Sequence, residues 1–177
     1  MPRRLQLAAA LAFALAASAA SAASAQELAI SDQAYPGQLQ LRVDATDLAH
    51  RVFTVHETIP VTPGPLRLYY PQWLPGNHGP RGPVDQLGGL HFSANGQSLP
   101  WRRDPLDMYS FLVEAPAGAS ELVAEFQHLS PLDPMQGRVV MTPEIIGLQW
   151  NAVVLYPAGY DASRITIAPS VNLPAGW

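Results

Sequence analysis

Alternation of apolar and polar residues dominates the chain. Leu39, Leu41 and Val43 alternate with Gln38, Gln40, Arg42 and Asp44. Phe53, Val55, Ile59 and Val61 fall in one register within 49–61. Leu122, Ala124 and Phe126 share a face opposite Glu121, Glu125 and Gln127. Ile165, Ile167 and Val171 do the same over 164–171. A period of two marks strands with one buried face, and helical periodicity is nearly absent. Pro169 cannot donate to a ladder, so the last of these strands is expected at a sheet edge. The runs 66–70, 108–113 and 145–156 are apolar and aromatic and read as further strands. Asn95-Gly96 separates 90–94 from 97–101, a hairpin signal because both turn positions need positive φ. The pattern predicts an all-β fold, an antiparallel β-sandwich of about nine or ten short strands.

The first 25 residues stand outside that pattern. Arg3 and Arg4 precede an apolar Ala/Leu stretch from Leu5 to Ala20, and Ala23-Ser24-Ala25 supplies small residues before Gln26. Residues 1–25 read as a secretory signal peptide with cleavage after Ala25, which implies a periplasmic or secreted product and no membrane association after cleavage. Residues 26–177 then form one domain, long enough for its own core. That portion carries eight arginines against fourteen acids, a net charge of −6, which argues against nucleic acid as a partner. The 177 residues include no Cys and no Lys. Thiolate, disulfide and Schiff-base chemistry and a phosphate-loop lysine are therefore excluded.

Candidate chemistry is sparse. His56-Glu57 begins like a helical H-E-x-x-H zinc motif, but the fifth position is Pro60 and the segment alternates as a strand, so a pair on a strand surface is expected. His50, His56, His78, His91 and His128 make no i,i+2 or i,i+4 pair. His50 and His56 share a face but lie roughly 20 Å apart at strand rise. All five read as isolated histidines, and no metal site is expected. There is no G-x-S-x-G elbow, and Asp44/Asp47 and Asp104/Asp107 read as turn formers.

The informative stretch runs from Pro71 to Gly89, with four Pro and five Gly. A loop of that length in a compact domain is functional or disordered. Trp73, Leu74, Val84 and Leu87 are expected to anchor it, so that it presents His78, Arg81 and Asp85. A rigid crossover between two sheets accounts for it equally well. Within it, Tyr70-Pro71-Gln72-Trp73-Leu74-Pro75-Gly76-Asn77-His78-Gly79-Pro80-Arg81 resembles a W-x-P-G-containing segment of the glycyl-aminopeptidase family of zinc metallopeptidases. Leu99–Pro105, Asp107–Phe111, Leu148–Asn151, Leu155–Gly159 and Asn172–Trp177 continue the resemblance in order. His78 departs from it, standing where the family often has Tyr.

The resemblance implies a β-rich N-terminal domain ahead of a thermolysin-like zinc domain and a PDZ domain. On that basis residues 26–177 are the non-catalytic first domain of an exported zinc aminopeptidase. The partner would be the downstream catalytic domain of the same polypeptide, and peptide would be met only through the full enzyme. The chain's apolar ending at Trp177 fits that expectation. No catalytic residue and no cofactor are expected in this chain, with zinc held downstream. Trp73, His78 and Arg81 are the candidate binding residues, on a loop facing the catalytic domain. The Arg81 guanidinium would bind a carboxylate or, the preferred reading, brace the loop. The alternative is a free-standing carbohydrate- or peptide-binding module using Trp73, Trp101 or Trp150. An interaction domain recruiting partners through the 165–171 edge is a weaker third reading.

Overall fold

A computed structural model describes residues 30–132 and 139–177. The expected signal peptide at 1–25 lies outside the described residues. Twelve strands occur among the described residues: β1 (Gln38–Asp47), β2 (Val52–Pro60), β3 (Gly64–Tyr69), β4 (Leu87–Ala94), β5 (Gln97–Leu99), β6 (Trp101–Arg103), β7 (Ser110–Ala115), β8 (Glu121–Leu129), β9 (Val140–Met141), β10 (Ile146–Gly147), β11 (Tyr156–Pro157) and β12 (Thr166–Asn172). The count exceeds nine or ten because the apolar stretch at 140–157 breaks into two-residue pieces around a 3-10 turn at Trp150–Ala152. Further 3-10 turns lie at Val84–Gln86 and Ala162–Arg164.

The strands form a six-stranded sheet in the order β12-β1-β2-β8-β4-β5, a four-stranded sheet in the order β11-β3-β7-β6, and the small β9–β10 pair. The inward rows of the two large sheets make one core. Leu39, Leu41, Val43, Phe53, Val55, Ile59, Phe92, Leu122, Ala124 and Phe126 come from the larger sheet, and Leu68, Phe111 and Val113 from the smaller. Trp101 joins the layers near the β5–β6 corner. Its ring meets Phe92 edge-on at 6.2 Å and Phe111 at 5.6 Å, and its indole N–H donates to the Leu90 carbonyl at 3.1 Å. Trp101 is therefore a half-buried packing residue.

The turns follow the sequence closely. Asn95 and Gly96 have φ of 52° and 73° and close the β4–β5 hairpin. The Asp44, Asp47, Asp104 and Asp107 carboxylates each accept a backbone N–H two or three residues on. In one respect the sheet departs from expectation, because β12 pairs with β1 in parallel, from Gln38 opposite Thr166 to Asp44 opposite Asn172. The chain crosses from β11 to the larger sheet at the end where β1 begins. There the Tyr35 N–H bonds the Arg164 carbonyl at 3.0 Å. A strand entering at that end must run alongside β1 in the same direction. Its outer edge carries Pro169, which discourages further pairing.

The core makes a direct prediction. Phe111→Ala is expected to cost about 3–5 kcal/mol in urea unfolding. Leu106 is 84% exposed, and Leu106→Ala should stay within about 0.5 kcal/mol.

Candidate functional site

The 71–89 stretch is shorter as a loop than its composition implies. Val84–Gln86 is a 3-10 turn and β4 begins at Leu87, so Gly88 and Gly89 belong to a strand, where the register with β8 shifts between Gly88 and His91. The irregular part spans 70–83 and carries the chain from the smaller sheet to the larger, so it is indeed a crossover. It is folded back on itself. Trp73 bridges Pro80, the Gly82 N–H donates to the Gln72 carbonyl at 3.0 Å, and the Asn77 N–H donates to Leu74 at 3.1 Å. Gly82 is required by contact, since a Cβ there would lie 1.8 Å from the Pro71 carbonyl oxygen. The Tyr109 hydroxyl holds the returning arm by donating to the Pro80 carbonyl at 3.1 Å.

Val84 is buried, and Leu74 and Leu87 are half-buried. Trp73 is not an anchor, because it is 66% exposed. His78, Arg81 and Asp85 are exposed. Arg81 makes no ion pair or side-chain hydrogen bond among the described residues, so the expectation that it braces the loop gives way to backbone bonds and Tyr109. The structure brings Trp73, His78 and Arg81 onto one short hairpin; Arg81 lies at its base between Pro80 and Gly82, Trp73 faces Pro80 one step further out, and His78 is at the tip.

Under this loop lies an interior with more polar groups than the sequence suggests. Glu57 is fully buried, and its Oε2 accepts the Leu155 N–H at 2.9 Å while Oε1 has no partner among the described residues. The expectation of a surface pair is thus half right. His56 points outward and Glu57 inward, which also prevents the two from acting together on a metal. The signal was present: Glu57 is in phase with Phe53, Val55 and Ile59. His128 likewise follows Leu122, Ala124 and Phe126 inward, and neither ring nitrogen has a partner among the described residues. The Tyr70 hydroxyl donates to the Ala152 carbonyl at 2.8 Å, and burial pushes that phenol up. Burial raises the Glu57 carboxyl to about 8 against the opposing Leu155 bond. It lowers the His128 imidazole to about 4, with Asp85 pulling the other way.

The histidines are less isolated than expected. His56 and His91 flank Glu125 across neighbouring strands, with Nδ1–oxygen distances of 3.3 and 3.8 Å, and His50 pairs with Asp47 at 2.8 Å. Among the described residues, no three His, Asp or Glu side chains gather closely enough to hold a metal ion. A zinc site does not fit these residues.

Two concavities border the smaller sheet. On its outer face a cleft of about 420 Å³ is lined by Arg67, Arg102, Leu112 and Glu114. Arg67 is already engaged there by Asp104 at 2.8 Å and Ser110 at 3.1 Å. The second, of about 320 Å³, lies between edge strands β11 and β12 of the two sheets. Trp73, Asn151, Tyr156, Ala162, Ile165 and Ile167 line it. Asn151 Oδ1 is buried without a partner among the described residues. Sequence reasoning passed over Asn151, although a single amide in the apolar run 148–156 was the signal.

The peptidase M61 N-terminal domain profile matches residues 40–177. The chain belongs to the peptidase M61 family, through its N-terminal domain. Among curated proteins none matches the chain. Among solved structures it is similar to an aminopeptidase N family protein from Idiomarina loihiensis, at 21% identity and a TM-score of 0.65. That likeness covers 78% of this chain and 22% of the other, and it shows a shared fold. The chain therefore spans about a fifth of that relative's length.

Two outcomes follow for this M61 domain. Gly82→Ala is expected to open the hairpin, costing about 2 kcal/mol or more and exposing 74–81 to limited proteolysis. The buried titratable groups act in opposite senses. Folded Glu57 holds its proton more tightly than in the unfolded chain, so its contribution falls as pH rises from about 4.5 to 8. Folded His128 holds its proton less tightly, so its contribution is lost as pH falls from about 6.5 to 4. Between about 6.5 and 8 only the Glu57 decline operates. Glu57→Gln should remove about 1–2 kcal/mol of stability loss across that window, read by urea unfolding at the two pH values.

Proposed function

We propose that residues 26–177 form the non-catalytic N-terminal domain of an exported zinc-dependent aminopeptidase and shape one wall of its substrate cleft. The observation that carries this reading is the M61 N-terminal profile match over 40–177. The similar solved structure, titled as an aminopeptidase N family protein, supports it, with most of its length lying outside the aligned region. The proposed partner is a catalytic domain on the same polypeptide, which binds zinc and meets peptide. Export rests on the signal-like residues 1–25.

The loop at 70–83 supplies the wall. Its backbone closure holds the tip without help from Arg81, which leaves the guanidinium available to a carboxylate or carbonyl in the cleft. His78 presents an imidazole at the tip. Neither group carries out the chemistry; they orient a peptide that the catalytic domain cleaves. The exposed Trp73 and Trp150 are the features that favour the carbohydrate-binding alternative.

The test begins by reading the gene past Trp177 for H-E-x-x-H and expressing the whole product. One zinc per chain and chelator-sensitive release of N-terminal amino acids are expected. Arg81→Ala should lower kcat/KM about tenfold, the loss of roughly one charge-assisted hydrogen bond, with an unchanged Tm. No zinc motif downstream, or glycan binding without peptidase activity, would overturn the proposal.

A further inference from the structure

We infer that the pocket between β11 and β12 is the seat of the downstream domain: it receives one bulky apolar side chain from that domain, flanked by a backbone N–H. This rests on the proposed function and adds the surface through which the two domains meet.

Three features point to such an occupant. The pocket volume, about 320 Å³, is within the range of sites that take one compact apolar group. Its walls are apolar, from Ile165 and Ile167 on one side to Tyr156 on the other. Trp73 stands at the pocket 66% exposed, although the hairpin that carries it is braced by Gly82, Asn77 and Tyr109 rather than by the indole. A rigidly held, exposed indole beside an apolar hollow is the composition of an interface centre. The third feature is chemical. Asn151 lines the pocket, and its Oδ1 is buried without a donor among the described residues; a buried acceptor left unpaired costs stability. Rotation of the Asn151 amide toward an N–H brought by the occupant removes that penalty, which a purely hydrocarbon occupant cannot do.

The occupant's source follows from chain length. The similar solved structure extends over more than four times the aligned portion, since the match covers 22% of it. A domain joined covalently to so much further chain would meet it permanently, and a permanent contact favours a largely apolar seat. The outward face of the six-stranded sheet suits that role poorly. It presents Gln40, Arg42, Thr54, His56, Thr58, Glu125, His91 and Ser98 in polar rows.

The experiment is oxidative footprinting of the full-length protein, with Trp73 and the exposed Leu106 read in the same digest. Trp73 is expected to lose most of its reactivity while Leu106 keeps its own. Ala162 is exposed at the pocket rim, so Ala162→Trp fills the pocket without disturbing the core. In that variant Trp73 should regain reactivity, with unchanged circular dichroism. If Ala162→Trp fails to fold, Ala162→Arg, which sets a charge at the rim of the apolar pocket, carries the same test. Protection that survives pocket filling would overturn the inference. A reactive Trp73 in a zinc-dependent peptidase would overturn it while leaving the proposed function standing. A gene product with no downstream domain would overturn both.

Discussion

The arrangement of this domain depends on one buried hydrogen bond, from the Leu155 N–H to the Glu57 carboxyl, between residues 98 positions apart. Glu57 sits in the middle of the larger sheet, and Leu155 lies on the irregular segment that leads from β10 into β11 of the smaller sheet. The Tyr70 hydroxyl makes a parallel tie to Ala152. Between 148 and 155 the backbone has left regular pairing, and these two side chains supply partners that a strand would otherwise have given it. The carboxyl is costly to bury when charged, and burial resolves this by favouring its protonated form. Fixing this segment places Asn151 and Tyr156 against one side of the pocket. The crossing that follows β11 reaches β12 at the end where β1 starts, which makes the final pair parallel.

The hairpin at 70–83 is built by a different device. Apolar burial contributes little to it, since its Trp is exposed and its tip is polar. Sterics at Gly82 and a short set of backbone bonds hold it, and Tyr109 clamps it from the neighbouring turn. A structure held in this way leaves its side chains free for outside contacts. Trp73 faces the flank between the sheets, Arg81 lies at the base beside Gly82, and His78 lies at the tip. In the arrangement proposed above, the flank would seat the next domain and the loop would border that domain's substrate.

Most of the framework was legible in the sequence. Leu39, Leu41 and Val43, and Leu122, Ala124 and Phe126, are buried as their alternation requires, Asn95-Gly96 turns the hairpin, and Pro169 lies on an edge. Glu57 and His128 were equally legible by phase and were missed because residue type was given more weight than position. The run at 145–156 misled for the opposite reason: continuous apolarity satisfies a buried irregular segment as well as a strand. Parallel pairing of β12 was not legible, because it depends on which end of the sheet the crossing reaches. The binding candidates share one hairpin, but the pocket at its base depends on residues 78 to 94 positions from Trp73. No local pattern encodes that meeting.

A crystal structure of the full-length polypeptide tests the central claim most directly. The account predicts an apolar side chain from beyond residue 177 seated between Trp73 and Ile167, its backbone N–H donating to Asn151 Oδ1, with His78 and Arg81 bordering the zinc cleft. A downstream domain packed instead on the polar face around Arg42, His56 and Glu125, with the Trp73 pocket open to solvent, would contradict it.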